Sequence, residues 1–510
     1  MAKKVGKNQR VRPFSLTDLT GGINLASAPD KLKENECTKL VNFEFDIEGN
    51  KLRTRRGLTR PLCEFPDRIC HIYDDYEMNT LIVFTRKEEG FPVVKVEQKA
   101  YEYIYGKKPK YLGTLTGPNI PVCCKFDGAV FIASGGKLQR YAQKELETVE
   151  ESVRCNIVIE RFGRLLTTMT GSDDFVYSGI GDYKSWVENP NDLASSRVIE
   201  IGYKDGGDIV GIYPLSTDII CFKSNGYIYN VANEPDDWYI SMIAKNSDFV
   251  GRRAVANLGK DVVYLSLVGL RAVSTSAEYG NFAKKDIGEK ANPGIKKRVD
   301  RPWISDLRRY KQLIISGASD NEVYVYHYAL GAFTTWYFPT EIMGIVETKN
   351  YTFVATRNQL CELKRRRYKD YDGVLEEDVK IRQEILSRKL LDTNIMTAYR
   401  ENIRVKSPAE GHADIKVNDI PIPWDWGKTN QMAEFKTQIR DYELQFGLTT
   451  DDPIELDYFT IDVIMSYETM VTEKSDSGLG KRTKKKGRRG GSDPFLENLK
   501  KKGKSPYGYR

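Results

Sequence analysis

Between Arg161 and Trp186 the chain reads RFGRLLTTMTGSDDFVYSGIGDYKSW, with three carboxylates, Asp173, Asp174 and Asp182, set among glycines and closed by a tryptophan. Those residue types admit three chemistries. A glycine-rich loop can cradle phosphate with its backbone amides. A repeated Asp box can bind carbohydrate. Two carboxylates can share acid and base roles in glycoside cleavage. Each needs its own spacing. A phosphate loop ends in Gly-Lys-Ser/Thr, and none follows these glycines. The Asp box runs Ser-x-Asp-x-Gly-x-Thr-Trp, whereas Tyr183, Lys184 and Ser185 follow Asp182. A glycosidase pair can form in space, but nothing in the sequence selects one. The remaining reading is turn chemistry: the aspartates bond nearby backbone amides, and Trp186 packs against a sheet.

The other candidates weaken in the same way. Ser477-Gly478-Leu479-Gly480-Lys481-Arg482-Thr483 lacks the first glycine and the final Ser/Thr of a phosphate loop, since Ser475 and Arg482 occupy those positions. Gly202, Gly206, Gly207 and Gly211 do not have dinucleotide spacing and read as a hairpin turn. The three histidines, His71, His327 and His412, are far apart in sequence, so no zinc-protease motif exists, and no GxSxG elbow is present. The expectation is a non-enzymatic protein with no catalytic residue, no metal and no cofactor.

Charge is distributed unevenly over the 510 residues. Residues 1–12 carry five bases, Lys3, Lys4, Lys7, Arg10 and Arg12, and no acid. Residues 474–510 carry thirteen bases and three acids, leaving 60 bases against 68 acids in the body. A general nucleic-acid binder is more often basic over its folded surface. The ends therefore read as contact arms. Lys481, Arg482, Lys484, Lys485, Lys486, Arg488 and Arg489 are candidates for contact with DNA phosphates, without sequence readout, or with an acidic neighbouring subunit. No aromatic interrupts that run, which argues against base stacking. Low apolar content predicts disorder for the isolated tail. Eight scattered cysteines without a CxxC suggest reduced, mostly buried thiols. The N-terminus has no apolar segment behind its bases, unlike a secretory signal. No apolar run approaches the roughly 20 residues of a membrane helix, so membrane insertion is not expected.

The elements that must position these residues read as β. Tyr, Phe, Val, Ile and Thr fall in short runs broken by Gly, Asn and Asp. A loose repeat recurs from about 69 to 365, in 68–88, 121–142, 156–179, 209–232, 254–275, 312–338 and 342–364. Its 30–55-residue spacing is within reach of propeller blades, which cannot bury their faces alone and pack radially. A β-sandwich with irregular loops is the competitor. The predicted fold is mainly β: a β-propeller of about six to seven irregular blades (61–365), an N-terminal arm and hairpin (1–60), a β-sandwich-like module (366–473) and extended basic ends, the last being a C-terminal tail (474–510). Residues 377–391 admit strand (Val379, Ile381, Ile385) or helix (Ile381, Ile385, Lys389). A turn is expected near Asn418-Asp419. Phe459, Ile461, Val463 and Met465 alternate as on a strand.

The sharpest local signal is LTGGINLASAPDKLKENECTKLVNFEFDIEGNKLRTRRGLTR, residues 19–60. Here Asn35 is expected to cap a short helix with Cys37, Leu40 and Val41 on one face. A hairpin should follow, turning at Glu48-Gly49-Asn50 and ending at Gly57. Through Gly21, Gly22, Asn24, Leu32, Glu36, Asn42, Gly49, Arg56 and Gly57 this block resembles the N-terminal signature of podovirus-type phage tail nozzle proteins. That family is also called tail tubular protein B or packaged-DNA stabilisation protein. The Arg-x-Gly-Arg-Leu strand, the Val-Tyr-Ser-Gly-x-Gly-Asp turn and Trp186 resemble that family's blade, as does DGGDIVGIYPLSTDIICFKSNGYIYNV. The resemblance covers about 14–365, and 376–470 more weakly; the basic C-terminal tail is outside it. It implies a structural virion protein, assembled in the host cytoplasm into the phage tail as a homo-oligomeric ring of typically six copies. The ring would sit below the portal and its adaptor protein, continue the double-stranded DNA channel, retain the packaged genome and dock tail fibres. A receptor-binding propeller and a tail glycan hydrolase are the alternatives.

Overall fold

The computed structural model describes residues 9–466, apart from 17, 47–50, 76–78, 91, 94, 236, 276–281 and 318–320. The described residues form one compact unit. Six separate sheets of four or five strands, and a seventh four-stranded meander, follow one another in the chain. Blade 1 begins at Arg68–Asp75, blade 2 at Val122–Phe126, blade 3 at Cys155–Arg161, blade 4 at Ile209–Leu215 and blade 5 at Val255–Asn257. The seventh meander, here blade 6, begins at Trp303–Leu307 and belongs to a larger sheet; blade 7 begins at Gly344–Glu347. These first strands meet around a common axis, the last of them returning to Arg68–Asp75. The fold is a β-propeller, and each repeat read in the sequence falls within one blade.

Local sequence explains the meanders. Phe162-Gly163, Gln143-Lys144 and Asp127-Gly128 join paired strands through two residues with positive φ, the turn whose twist matches that of the strands. Strands such as Ala129–Ala133 are buried throughout because neighbouring blades cover both faces. Apolar clusters fill each gap: Phe84 and Ile132 between blades 1 and 2, Phe131 and Trp186 between 2 and 3, Phe175 and Ile219 between 3 and 4. Phe222 and Tyr264 fill the gap between blades 4 and 5, Ile314 and Val354 between 6 and 7, Phe353 and Leu81 between 7 and 1.

Blade 7 is closed by the other end of the chain. Its third strand, Gln359–Lys364, pairs with Gly57–Leu58 and Cys63–Glu64. The remaining described segments build the large sheet. A 24-residue strand, Gln383–Lys406, pairs along its length with the 19-residue Met432–Thr450. Its second half also pairs with Glu455–Ser466, which pairs in turn with Gln9–Ser15. The N-terminal segment is therefore woven into the C-terminal sheet. Asn418-Asp419 forms the expected two-residue turn, with Asn418 at φ 54°, and Phe459, Ile461 and Val463 face the core.

Two local expectations are corrected or resolved. Residues Glu36–Val41 form a strand, not a helix capped by Asn35. Six residues cannot hold a helix by themselves, whereas this segment gains partners on both sides, Gly22–Ile23 and Gln383–Lys406. The ambiguous 377–391 is strand for the same reason. The Phe43–Phe45 and Leu52–Thr54 hairpin is present, its predicted turn lying outside the described residues.

Candidate functional site

Of the sequence-predicted contact residues, only Arg10 and Arg12 lie among the described residues. Lys481, Arg482, Lys484, Lys485, Lys486, Arg488 and Arg489, with Lys3, Lys4 and Lys7, lie outside the described residues. Arg10 falls on the Gln9–Ser15 strand, and Arg12 is exposed with Glu34 at 3.8 Å. The eight cysteines are free thiols, five of them buried.

Several of the residues that carry the resemblance make buried contacts between distant segments. Asn42 takes a left-handed conformation, φ 61°, which asparagine tolerates better than most side chains. Its side-chain amide donates to the Arg382 carbonyl at 2.6 Å; its oxygen accepts from Arg55 Nε at 2.8 Å and from the Tyr337 amide at 2.7 Å. One side chain thus ties blade 6 to the start of the long strand. Arg55, fully buried, grips Asp370 with both terminal nitrogens and stacks on Phe338. Arg56 donates to Glu44 at 3.2 Å and Gln312 at 3.0 Å, over the Tyr310 ring. Asn24 donates to Glu36 at 2.9 Å, and Lys290 pairs with the same carboxylate at 2.9 Å. Burial alone would raise the Glu36 pKa, but hydrogen bonds from Asn24, Lys290 and the Lys33 amide outweigh it and hold the carboxyl low. A Cβ at Gly22 would strike the Phe333 backbone, 2.6 Å away, and one at Gly57 would strike that of Arg367 and Lys369. These residues form a buried clasp between propeller and large sheet.

The blade motif has a similar logic. Arg164 is buried and donates to the carbonyls of Ser178 at 2.7 Å, Ser195 at 2.8 Å and Leu193 at 2.8 Å. The Arg-x-Gly-Arg-Leu strand is thereby stapled to the Val-Tyr-Ser-Gly turn. Asp182 caps the Lys184 amide at 2.9 Å, and Trp186 is buried with its indole N–H on the Tyr183 carbonyl. In the next blade, buried Lys223 meets Asp205 and, at 3.5 Å, Asp173. The aspartates of the stretch are therefore structural.

The axis of the propeller is polar at both ends. Where the first strands begin, Arg252 donates to the Val210 and Asn156 carbonyls, and Arg253 to the Cys70 carbonyl at 2.7 Å while lying over Trp303. From blade 5 these two arginines reach blades 1, 3 and 4, across the axis. Where the strands end, Asp74, Asp306 and Glu347 line a cavity of about 200 Å³ with His71 and Arg308. Burial lifts the Asp74 carboxyl to about 7 and Asp306 to about 6. Glu347 is held by Arg309 at 2.7 Å. No group of three or more His, Cys, Asp or Glu suited to a metal occurs among the described residues.

No family model and no curated protein matches the chain. Among solved structures it is similar to the β-propeller domain of Myceliophteria thermophila Cps50 (Swd1), at TM-score 0.38 and 9% identity, covering 59% of this chain and 96% of that one. The Neurospora crassa Pan2 WD40 domain scores 0.40 at 8% identity, covering 62% and 96%. The computationally designed Ika8 protein scores 0.38 at 8% identity, covering 68% and 100%.

Sequence reasoning missed the axial arginines and carboxylates. The two arginines precede the first strand of blade 5 and the carboxylates sit at the ends of three other first strands, so no local pattern marks the set; position within the repeat is the signal that could have found them.

Proposed function

We propose that this chain is a structural subunit of a phage tail, a nozzle or closely related head-to-tail connector. On this reading it assembles as a closed ring, typically of six copies, that continues the DNA channel, retains the packaged genome, and docks the portal adaptor protein and tail fibres. The observation that carries the reading is the clasp. Of the nine residues on which the resemblance rests, six, Gly22, Asn24, Glu36, Asn42, Arg56 and Gly57, belong to the buried contacts that join the propeller to the large sheet. A subunit whose two parts are joined by buried pairs suits a ring wall. The excess of acids in the chain's body also fits, since negative walls repel DNA phosphates and let the duplex slide. Because Arg252 and Arg253 reach across the propeller axis, the channel in this reading runs between subunits. Imaging of purified protein and virions by negative stain tests it: a ring on the tail axis is expected, and an off-axis monomer would refute it. Off-axis placement would instead favour a receptor-binding propeller.

The axial carboxylates favour a second reading, a tail glycan hydrolase, because Asp74 and Asp306 share one cavity and burial raises both carboxyls, Asp74 the further. Absence of product from host-surface glycans, with wild type and Asp74→Asn alike, would dismiss it.

A further inference from the structure

The arginine-lined end of the axis has a charge imbalance. Arg68 and Arg86 have carboxylate partners, Glu341 at 2.8 Å and Glu88 at 2.6 Å. Arg252, Arg253 and Arg301 have none within ion-pair distance among the described residues: Arg252 gives its Nε and one terminal nitrogen to backbone carbonyls and Arg253 one terminal nitrogen, which leaves donors on both forks for a ligand, and Arg301 is exposed. All three line one cavity of about 370 Å³ with Asn119, Gly251 and Pro302, and no acid lines it. Burial, together with the charges of Arg68, Arg86 and Arg301, pushes the Arg253 guanidinium down to about 10; burial also lowers Arg252. Arginines at this mouth therefore repel one another and lie partly out of water. Withdrawing charge from water without a counter-charge is costly, and Arg252 and Arg253 are half-buried beside the exposed Arg301.

We propose that this mouth is a phosphate-binding site, with Arg252, Arg253 and Arg301 as its guanidinium ligands. The charge count favours phosphate over a single carboxylate. Three uncompensated cations are met better by a group carrying about −1.5 to −2 at neutral pH, and guanidinium binds phosphate oxygens in a two-pronged geometry. Asn119 lines the same cavity, its amide donating to Asn156 Oδ1 at 2.6 Å. The source can be free phosphate or a phosphomonoester end; both present the same oxygens.

The test uses the full chain, with its thermal midpoint and calorimetric titration followed at constant ionic strength. Arg301→Glu is the variant of choice: the residue is exposed, its left-handed backbone (φ 49°) is equally demanding for either side chain, and the new carboxylate would occupy the site. Arg252→Met is the second variant. Wild type should show a saturable rise in midpoint with inorganic phosphate, and Arg301→Glu should weaken the apparent affinity about tenfold or more. A response confined to a 5′-phosphorylated oligonucleotide, and lost in Arg301→Glu, would also support the site and name its source. An equal response in the variants, an equal response to unphosphorylated oligonucleotide, or no saturable response in wild type would overturn it.

Discussion

Two buried side chains carry most of what can be tested at single positions. Asp370 is the counter-charge of Arg55, which is fully buried and also bound to Asn42 and the Tyr337 carbonyl. Removing one partner of a buried pair strands the other, so Asp370→Asn should cost about 3–5 kcal/mol in urea unfolding. A loss below 1 kcal/mol would mean the clasp does not depend on this pair. Glu401 is buried, with one oxygen accepting from Thr437 at 3.2 Å and the other unpartnered. Burial lifts its pKa from 4.5 to about 7. The folded state thus binds a proton that the unfolded chain releases, so stability falls as pH rises from about 4.5 through 7. Glu401→Gln should remove that share of the decline. The check is the denaturation midpoint at pH 5 and pH 8, where an unchanged pH slope in the variant would contradict the assignment. Residue identity was legible where a turn or close approach demanded it, as at Gly22, Gly57 and Asn42. Partners were not: Arg55 meets Asp370 across 315 positions, and no local pattern encodes that distance.

Short elements take their form from neighbours. Alternation and turn pairs such as Asp127-Gly128 made the meanders readable, because blade strands pair with the next strand in sequence. The Glu36–Val41 strand was misread because its apolar spacing also suits a helix, and its pairing partner lies some 350 residues on. The closing strand of blade 7 was invisible for the same reason. Leu58 lies on it, fully buried beside Ile314, Val354 and Leu363. Leu58→Ala should cost about 2–5 kcal/mol, read as a fall in the cooperative unfolding midpoint; an unchanged midpoint would show that this strand does not hold the propeller closed.

For the whole molecule, we propose that the basic tail acts in assembly. Deleting residues 481–510 should reduce particle yield or ring formation while leaving the thermal midpoint of the folded body unchanged. A deletion that lowers the midpoint but not the yield would reverse that assignment. The central claim is that copies of this chain close into a ring around DNA. Negative-stain imaging of virions bearing a label on the exposed Val374-Leu375 loop tests it most directly. Labels arranged symmetrically about the tail axis are the expected result; a single label away from that axis would contradict the account.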